Sequence, residues 1–561
     1  MDRTPREIPQ DSPDETPGRT MYDVVVVGGG AAGLSGALAL ARARRSVLVV
    51  DAGQPRNAPA GHVHNYLGRD GVSPAGLVAE GRAEVARYGG RTVTGRVTGA
   101  VVDGAAADDG GFLVDLDGGR TVRARRLLLA TGLVDGLPEL PGVAERFGRD
   151  VLHCPYCHGW EVRDRRIGVL ATGPLAWHQA ELWRQWSADV VVLRHGADAP
   201  DPEQAERLAA LGIPVLDGPV AGLTTSGDPD DALTGVRLAS GRAVGLDALA
   251  VATRLSARGE VAEALGLVPV DVEFAGQVVG SRIPADENGA TAVPGVWVAG
   301  NAADVQAQVV TAAAAGLRAA AAINADLLAE DTRRAVAAHR KLLATVFERP
   351  AWEERYRSRP ALWSGNPNPQ LVAEAAALTP GRALDVGSGE GADALWLAGR
   401  GWRVTAVDIA DTALERAAAH AAAAGPDLAD RITWTRADLR EEPPAEGGYD
   451  LVTAQYMHLP AEARRELYAR LAAAVAPGGT LLIVGHHPLD LTTTVGRPRF
   501  LAEAMFTAEE LATALDPAWR VLAAETRPRD AVDPEGRAVT VHDAVLVARR
   551  PLDLPAPAGA R

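Results

Sequence analysis

Apolar and polar positions along this chain of 561 residues switch repeatedly between strand and helix spacing. Short runs rich in β-branched residues at 24–27, 167–170 and 383–386 each lead into a glycine turn, at Gly28, Gly173 and Gly387. An Ala/Leu-rich stretch at helical spacing follows each turn. Further strand patterns at 47–50, 190–193 and 404–407 end at Asp51, Arg194 and Asp408. Ala-rich runs at 311–323 and 416–424 predict helices. This alternation predicts an α/β fold throughout, built from three strand–turn–helix openings of the kind that bind nucleotides. Residues 331–360 are charged and carry Trp352 and Tyr356, and the main domain boundary is expected there.

Residues 24–41 are long and apolar enough to suggest a membrane span. Gly28, Gly29, Gly30, Gly33 and Gly36 break that run into strand, turn and helix. Residues 1–20 are polar and mixed in charge, which predicts a disordered tail on a cytoplasmic protein. With 57 Lys and Arg against 72 Asp and Glu, the net charge of −15 opposes general nucleic-acid binding. Two cysteines exclude a disulfide scaffold for a chain of this length.

Gly28-Gly29-Gly30-Ala31-Ala32-Gly33 fits G-x-G-x-x-G. Its first glycine makes a tight turn, its second lets the backbone approach a pyrophosphate, and its third lets helix and strand pack closely. Asp51, at the end of the next strand, is placed to accept hydrogen bonds from ribose hydroxyls. A strand at 127–130 ends in Thr131-Gly132, and Gly300-Asn301 opens a turn before a helix expected from Gln306 onward. Both cysteines lie in His153-Cys154-Pro155-Tyr156-Cys157-His158. C-x-x-C spacing brings two thiols close enough to form a disulfide and lowers one thiol pKa. A zinc site here would draw all its ligands from one tight loop rather than from two separated pairs. Two inert cysteines are the other bland reading, and their place beside a dinucleotide motif favours redox chemistry. No metal site is expected; His486-His487 alone supplies too few ligands.

Over roughly residues 21–325 these segments resemble the thioredoxin reductase family, with two dinucleotide-binding domains. That resemblance implies FAD held by Gly28, Gly30, Ala32, Gly33, Asp51, Thr131, Gly132, Gly300 and Asn301, the last standing where the family usually has Asp. It implies a redox-active Cys154/Cys157 pair. The pattern HC-x-x-CHG resembles more closely the flavin-dependent dithiol oxidases that close the disulfides of gliotoxin-type and holomycin-type metabolites. By that resemblance Cys157 faces the flavin, Cys154 exchanges with substrate and His153 moves protons, with His158 as a further catalytic candidate. Asp286 is either an acidic partner or part of a solvated turn. In the second dinucleotide motif only Gly173 and Ala176 remain, Pro174 removes an N–H donor, and Arg194 stands alone where the family has an arginine cluster. The fold is expected to survive there, and use of NAD(P)H stays open.

Asp385-Val386-Gly387-Ser388-Gly389-Glu390-Gly391 follows an apolar strand and opens a helix. With Asp408 it resembles the class I S-adenosylmethionine-dependent methyltransferases over roughly 350–550. The resemblance implies that Asp385, Gly387 and Gly389 hold the donor's amino-acid part, Asp408 its ribose and Asp438 its adenine. Gln455, Tyr456 and His458 are acceptor-side candidates, and Trp352, Tyr356 and Trp363 resemble a lid.

The expected plan is therefore a tail (1–20), the first part of an FAD-binding domain (21–136) and an NAD(P)-type domain carrying the cysteine pair (137–243). The second FAD part (244–328), a linker helix (329–349), a class I methyltransferase domain (350–550) and a tail (551–561) follow. The implied function is bifunctional: FAD-dependent thiol–disulfide oxidoreduction joined to methyl transfer to a small molecule, a thiol being the acceptor that would link the halves. The expected partners are a small-molecule thiol or disulfide and a methyl acceptor, with no nucleic acid or membrane; a homodimer is expected by analogy with the flavoprotein family. The alternatives are an NADPH-dependent thioredoxin or disulfide reductase, and a flavin-based redox sensor controlling the methyltransferase.

Overall fold

The computed structural model describes residues 21–104, 111–227, 231–457, 459–492, 499–533 and 535–552. It divides into two compact units, Met1–Asp331 and Thr332–Arg561.

In the first unit the leading apolar runs become buried strands. Their order is Arg91–Thr94, Val47–Asp51, Met21–Val27, Arg120–Leu129, Phe112–Leu116 and Val97–Val102, with Val296–Val298 on the far side of Arg120–Leu129. Val24, Val25 and Val26 are fully buried because both faces of the central strands are covered. The membrane-length run resolves into the strand Met21–Val27 and the helix Ala31–Arg42.

A second sheet is all parallel: Val215–Asp217, Val190–Arg194, Ile167–Ala171, Ala248–Val251 and Val151–Leu152. A connecting sheet pairs Leu133–Gly136 with Arg254–Ala257. The chain therefore leaves the second sheet after Val251, not at the expected 243/244, because the strand Ala248–Val251 hydrogen-bonds beside Ile167–Ala171.

The expected linker helix is not a separate element. One helix runs from Val309 to Val346, since its Ala-rich sequence holds no proline to stop it. It begins at Val309, after the turn Gly300–Ala302, rather than at Gln306. It is long and apolar enough by composition to cross a membrane. Its Ala319, Ala320, Ile323 and Leu327 are buried in one cluster with Val24, Val26 and Leu128. Arg126 adds bonds of 2.5 Å to Asp326 and Glu330.

The second unit is a seven-stranded sheet ordered Ile432–Arg436, Arg403–Asp408, Arg382–Val386, Tyr449–Gln455, Val475–His486, Ala538–Arg549 and Arg520–Val532. The first five run parallel, and Ala538–Arg549 runs antiparallel to both of its neighbours, Val475–His486 and Arg520–Val532.

Candidate functional site

The cysteine loop starts where the strand Val151–Leu152 ends, beside the end of Ala248–Val251. The carboxyl edge of a parallel sheet is where such folds bind ligands. One cavity of about 990 Å³ is lined by His153, Cys154, Cys157 and His158 together with Gly28, Gly30, Ala32, Asp51, Thr131, Gly132, Gly300 and Asn301. Gly33 stands behind this lining, in the helix.

The glycines divide the work. Gly28 has φ +104°, and a Cβ there would sit 2.3 Å from the Ala130 carbonyl oxygen. A Cβ on Gly33 would lie 1.9 Å from the Gly28 oxygen, so this glycine lets helix and strand touch. A Cβ on Gly30 would meet no protein atom within 4 Å; the space belongs to the cavity. That cradle fits a pyrophosphate at the helix N-terminus. Asp51 carries an ion pair to Arg82. Thr131 Oγ1 donates to the Arg258 carbonyl at 2.9 Å. Asn301 Nδ2 donates to the carbonyls of Asp304 and Ala307, leaving its Oδ1 to accept from a ligand hydroxyl.

Cys157 Sγ lies 2.6 Å from Cys154 Sγ. Cys154 precedes the short helix Pro155–His158. Its thiol is brought down to about 7 chiefly by the hydrogen bond from Cys157. Backbone N–H groups of Cys157 and Tyr156 and the charge of Arg56 act the same way, against burial. Cys157 is pushed up by sharing that bond and by burial. Cys154 is therefore the more acidic thiol of the pair. Burial also lowers the proton affinity of His153 and His158.

His153 Nδ1 lies 3.3 Å from Thr253 Oγ1, which donates to Asp135 Oδ1 at 3.2 Å. Arg56 clamps Asp135 with two bonds of 2.7 Å. Sequence reading missed Arg56, Asp135 and Thr253, which come from three distant segments. One signal was present: Ala252-Thr253 follows its strand as Ala130-Thr131 follows Arg120–Leu129. The acidic residue near His153 is Asp135. Asp286 instead accepts from the backbone N–H groups of Asn288 and Ala290 in a turn, so its solvated-turn reading holds.

Residues 22–316 match the pyridine nucleotide-disulphide oxidoreductase family. The chain belongs to that family. Residues 383–479 match a methyltransferase domain. The thioredoxin reductase sirT of Leptosphaeria maculans is 32% identical, over 56% of this chain and 96% of its own length. The crystal structure of HlmI is similar at 45% identity and a TM-score of 0.52, covering 57% of this chain and 96% of that one. An oxidoreductase from Agrobacterium tumefaciens is 36% identical with a TM-score of 0.50, covering 55% and 99%. In this family member the second dinucleotide turn has Pro174 preceding the helix Leu175–Trp183, and Arg194 is bonded to Asp217 at 2.5 Å.

In the methyltransferase unit Asp385 lies buried near the end of the strand Arg382–Val386, with Oδ2 lacking any protein partner. Burial first, then Asp393 and Asp408, push its carboxyl well above the usual range. Ser388 Oγ and Gln455 Oε1 are likewise buried without a partner. Asp408 accepts from the N–H groups of Gly389 and Ala410, both at 2.9 Å. These unsatisfied atoms beside the Gly387–Gly389 turn fit a polar ligand. Asp438 is turned onto Arg440, which holds its carboxyl below the ordinary value and also bonds Glu348. A Cβ on Gly389 would meet Trp363 and the Tyr356 hydroxyl, and Trp363 Nε1 donates to that hydroxyl at 3.1 Å. Trp352 lies 6.2 Å from Tyr356, ring to ring. Tyr456 donates to buried Asp543 at 2.9 Å and its ring lies 4.5 Å from that of His486. His487 Nδ1 accepts from the Leu489 N–H. His458 lies outside the described residues.

Proposed function

We propose that the protein oxidises a small-molecule dithiol through Cys154, Cys157 and FAD, and separately transfers a methyl group from S-adenosylmethionine to a small molecule. The observation that carries the first activity is the single cavity shared by the cysteine pair and the dinucleotide turn. FAD, when bound, supplies the acceptor for the electron pair.

The chain's own residues do the rest. A substrate thiolate attacks Cys154 of the oxidised pair, the Cys154–Cys157 bond breaks, and Cys157 leaves as thiolate. The second substrate thiol then displaces Cys154, closing the substrate disulfide. Two protons and two electrons leave the dithiol in all, and dioxygen accepts both as hydrogen peroxide. Cys154 suits the exchanging role because its thiolate forms near neutral pH.

Dioxygen is favoured over NADPH by two features. Pro174 removes an N–H from the phosphate turn, and Arg194, the one arginine where a 2′-phosphate would bind, is neutralised by Asp217. Oxygen uptake by the flavin-loaded protein with dithiothreitol, compared with NADPH oxidation by the same preparation, tests this. Turnover with dithiothreitol and air and none with NADPH is expected; rapid NADPH oxidation overturns it in favour of a reductase. Cytoplasmic location, a homodimer and a thiol as the shared acceptor belong to the same proposal.

In the second unit Asp385, Gly387 and Gly389 would hold the donor's amino-acid part and Asp408 its ribose, with Gln455 and Tyr456 bordering the acceptor. The donor's sulfonium carries its own activation, so positioning is the protein's main contribution.

A further inference from the structure

Four side chains from separate segments of the first unit make one hydrogen-bonded line into the cavity. Arg56 donates through Nε and Nη2 to the two oxygens of Asp135, at 2.7 Å each. Asp135 is almost fully buried, with 8% of its side chain exposed. Its Oδ1 also accepts from Thr253 Oγ1 at 3.2 Å, and Thr253 Oγ1 lies 3.3 Å from His153 Nδ1. All four residues line the cavity that holds Cys154 and Cys157.

Proton counting settles the direction of the last bond. A carboxylate clamped by a guanidinium only accepts, so the single Thr253 hydroxyl proton goes to Asp135. The Thr253 oxygen can then only accept, and the His153 ring must donate through Nδ1. We infer that Thr253, anchored by the Arg56–Asp135 pair, is a positioning residue that fixes neutral His153 as its Nδ1–H tautomer and leaves Nε2 as the base for an incoming thiol. This rests on the dithiol reading above and adds what directs its proton.

The step balances. The substrate S–H bond breaks and an Nε2–H bond forms. The new bond from substrate sulfur to Cys154 replaces the Cys154–Cys157 bond, and Cys157 leaves as thiolate. The imidazolium is held by Asp135 through Thr253 and later releases its proton to water in the cavity. The groups facing the ring pull both ways. Arg56 and His158 disfavour the imidazolium, Asp135 and the Val251 carbonyl favour it, and burial makes the neutral ring the resting form.

The test uses flavin-loaded protein, anaerobic mixing with dithiothreitol across a pH series, and ¹⁵N spectra of histidine-labelled protein. Thr253→Val removes the hydroxyl at constant shape, and Thr253→Ser restores it. The valine variant should reduce its flavin on the order of tenfold to a hundredfold more slowly, as expected when a general base loses its orientation. Its acid limb should move to lower pH, because the imidazolium loses the hydroxyl that links its Nδ1–H to Asp135. The serine variant should recover both rate and limb. The wild-type spectrum should show a protonated Nδ1 on His153. A valine variant with wild-type rate and limb, a slower one whose limb stays put, or a wild-type proton on Nε2 overturns the relay alone. Wild-type flavin that dithiothreitol cannot reduce overturns the dithiol reading and the relay with it.

Discussion

Cys157 Sγ donates to Cys154 Sγ over 2.6 Å, and that bond favours a thiolate on Cys154 while opposing one on Cys157. The asymmetry has a structural source. Cys154 precedes the first turn of Pro155–His158, where backbone N–H groups support a thiolate, whereas Cys157 donates its proton inward.

Alkylation of the reduced protein by iodoacetamide should therefore modify Cys154 first, with a rate that climbs as pH rises through about 7. Cys157→Ala removes the largest support for that thiolate, and the midpoint should move up toward the ordinary thiol range. Peptide mapping after brief alkylation reads both effects. Equal labelling of the two cysteines would contradict the asymmetry.

Two glycines of the same motif should fail in different ways. Gly33→Ala forces a Cβ against the Gly28 oxygen, so the protein should lose about 1–3 kcal/mol of stability whether or not flavin is bound. Gly30→Ala points into open cavity, so the flavin-free protein should keep its melting temperature while flavin content falls. Thermal melts of flavin-free and flavin-loaded samples separate the two.

Asp385 carries the sharpest prediction in the second unit. Its folded carboxyl titrates above its unfolded value, so stability declines as pH rises from the unfolded value and levels off once the folded group has ionised. Asp385→Asn removes that cost and should raise the melting temperature at neutral pH more than near pH 4. The same change should weaken S-adenosylmethionine binding by about tenfold to a hundredfold, as when one charged hydrogen-bond partner is lost. Calorimetric titration against melts at two pH values checks both signs.

Trp363→Ala should also weaken donor binding, while leaving the flavin spectrum unchanged. Trp363 and Tyr356 cover Gly389, and Glu390 holds the segment by accepting from the Leu362 and Trp363 N–H groups. Fluorescence titration with the donor reads the loss. An unchanged affinity would make the aromatic cluster packing alone.

Much of this architecture is written in local pattern. The strand–glycine–helix openings at Gly28, Gly173 and Gly387, and the acids Asp51 and Asp408, follow from runs of a few residues. What local pattern does not carry is the pairing of distant segments. Strand Ala248–Val251 joins the second sheet through its partner Ile167–Ala171, so the domain crossing follows Val251 rather than the 243/244 that local pattern suggests. The network of Arg56, Asp135 and Thr253 needs three segments brought together, whereas Asp286, near in pattern, is spent on its own turn. The long helix Val309–Val346 looks like two pieces in sequence because its charge rises near Asp331, while its backbone continues unbroken.

The most direct test of the central claim is an anaerobic titration of the flavin-loaded protein with dithiothreitol, followed in the visible spectrum, beside its Cys154→Ser variant. The account predicts full bleaching of the wild type and an oxidised flavin in the variant. A wild-type spectrum that does not respond, or a variant that bleaches equally fast, would contradict electron passage through the cysteine pair.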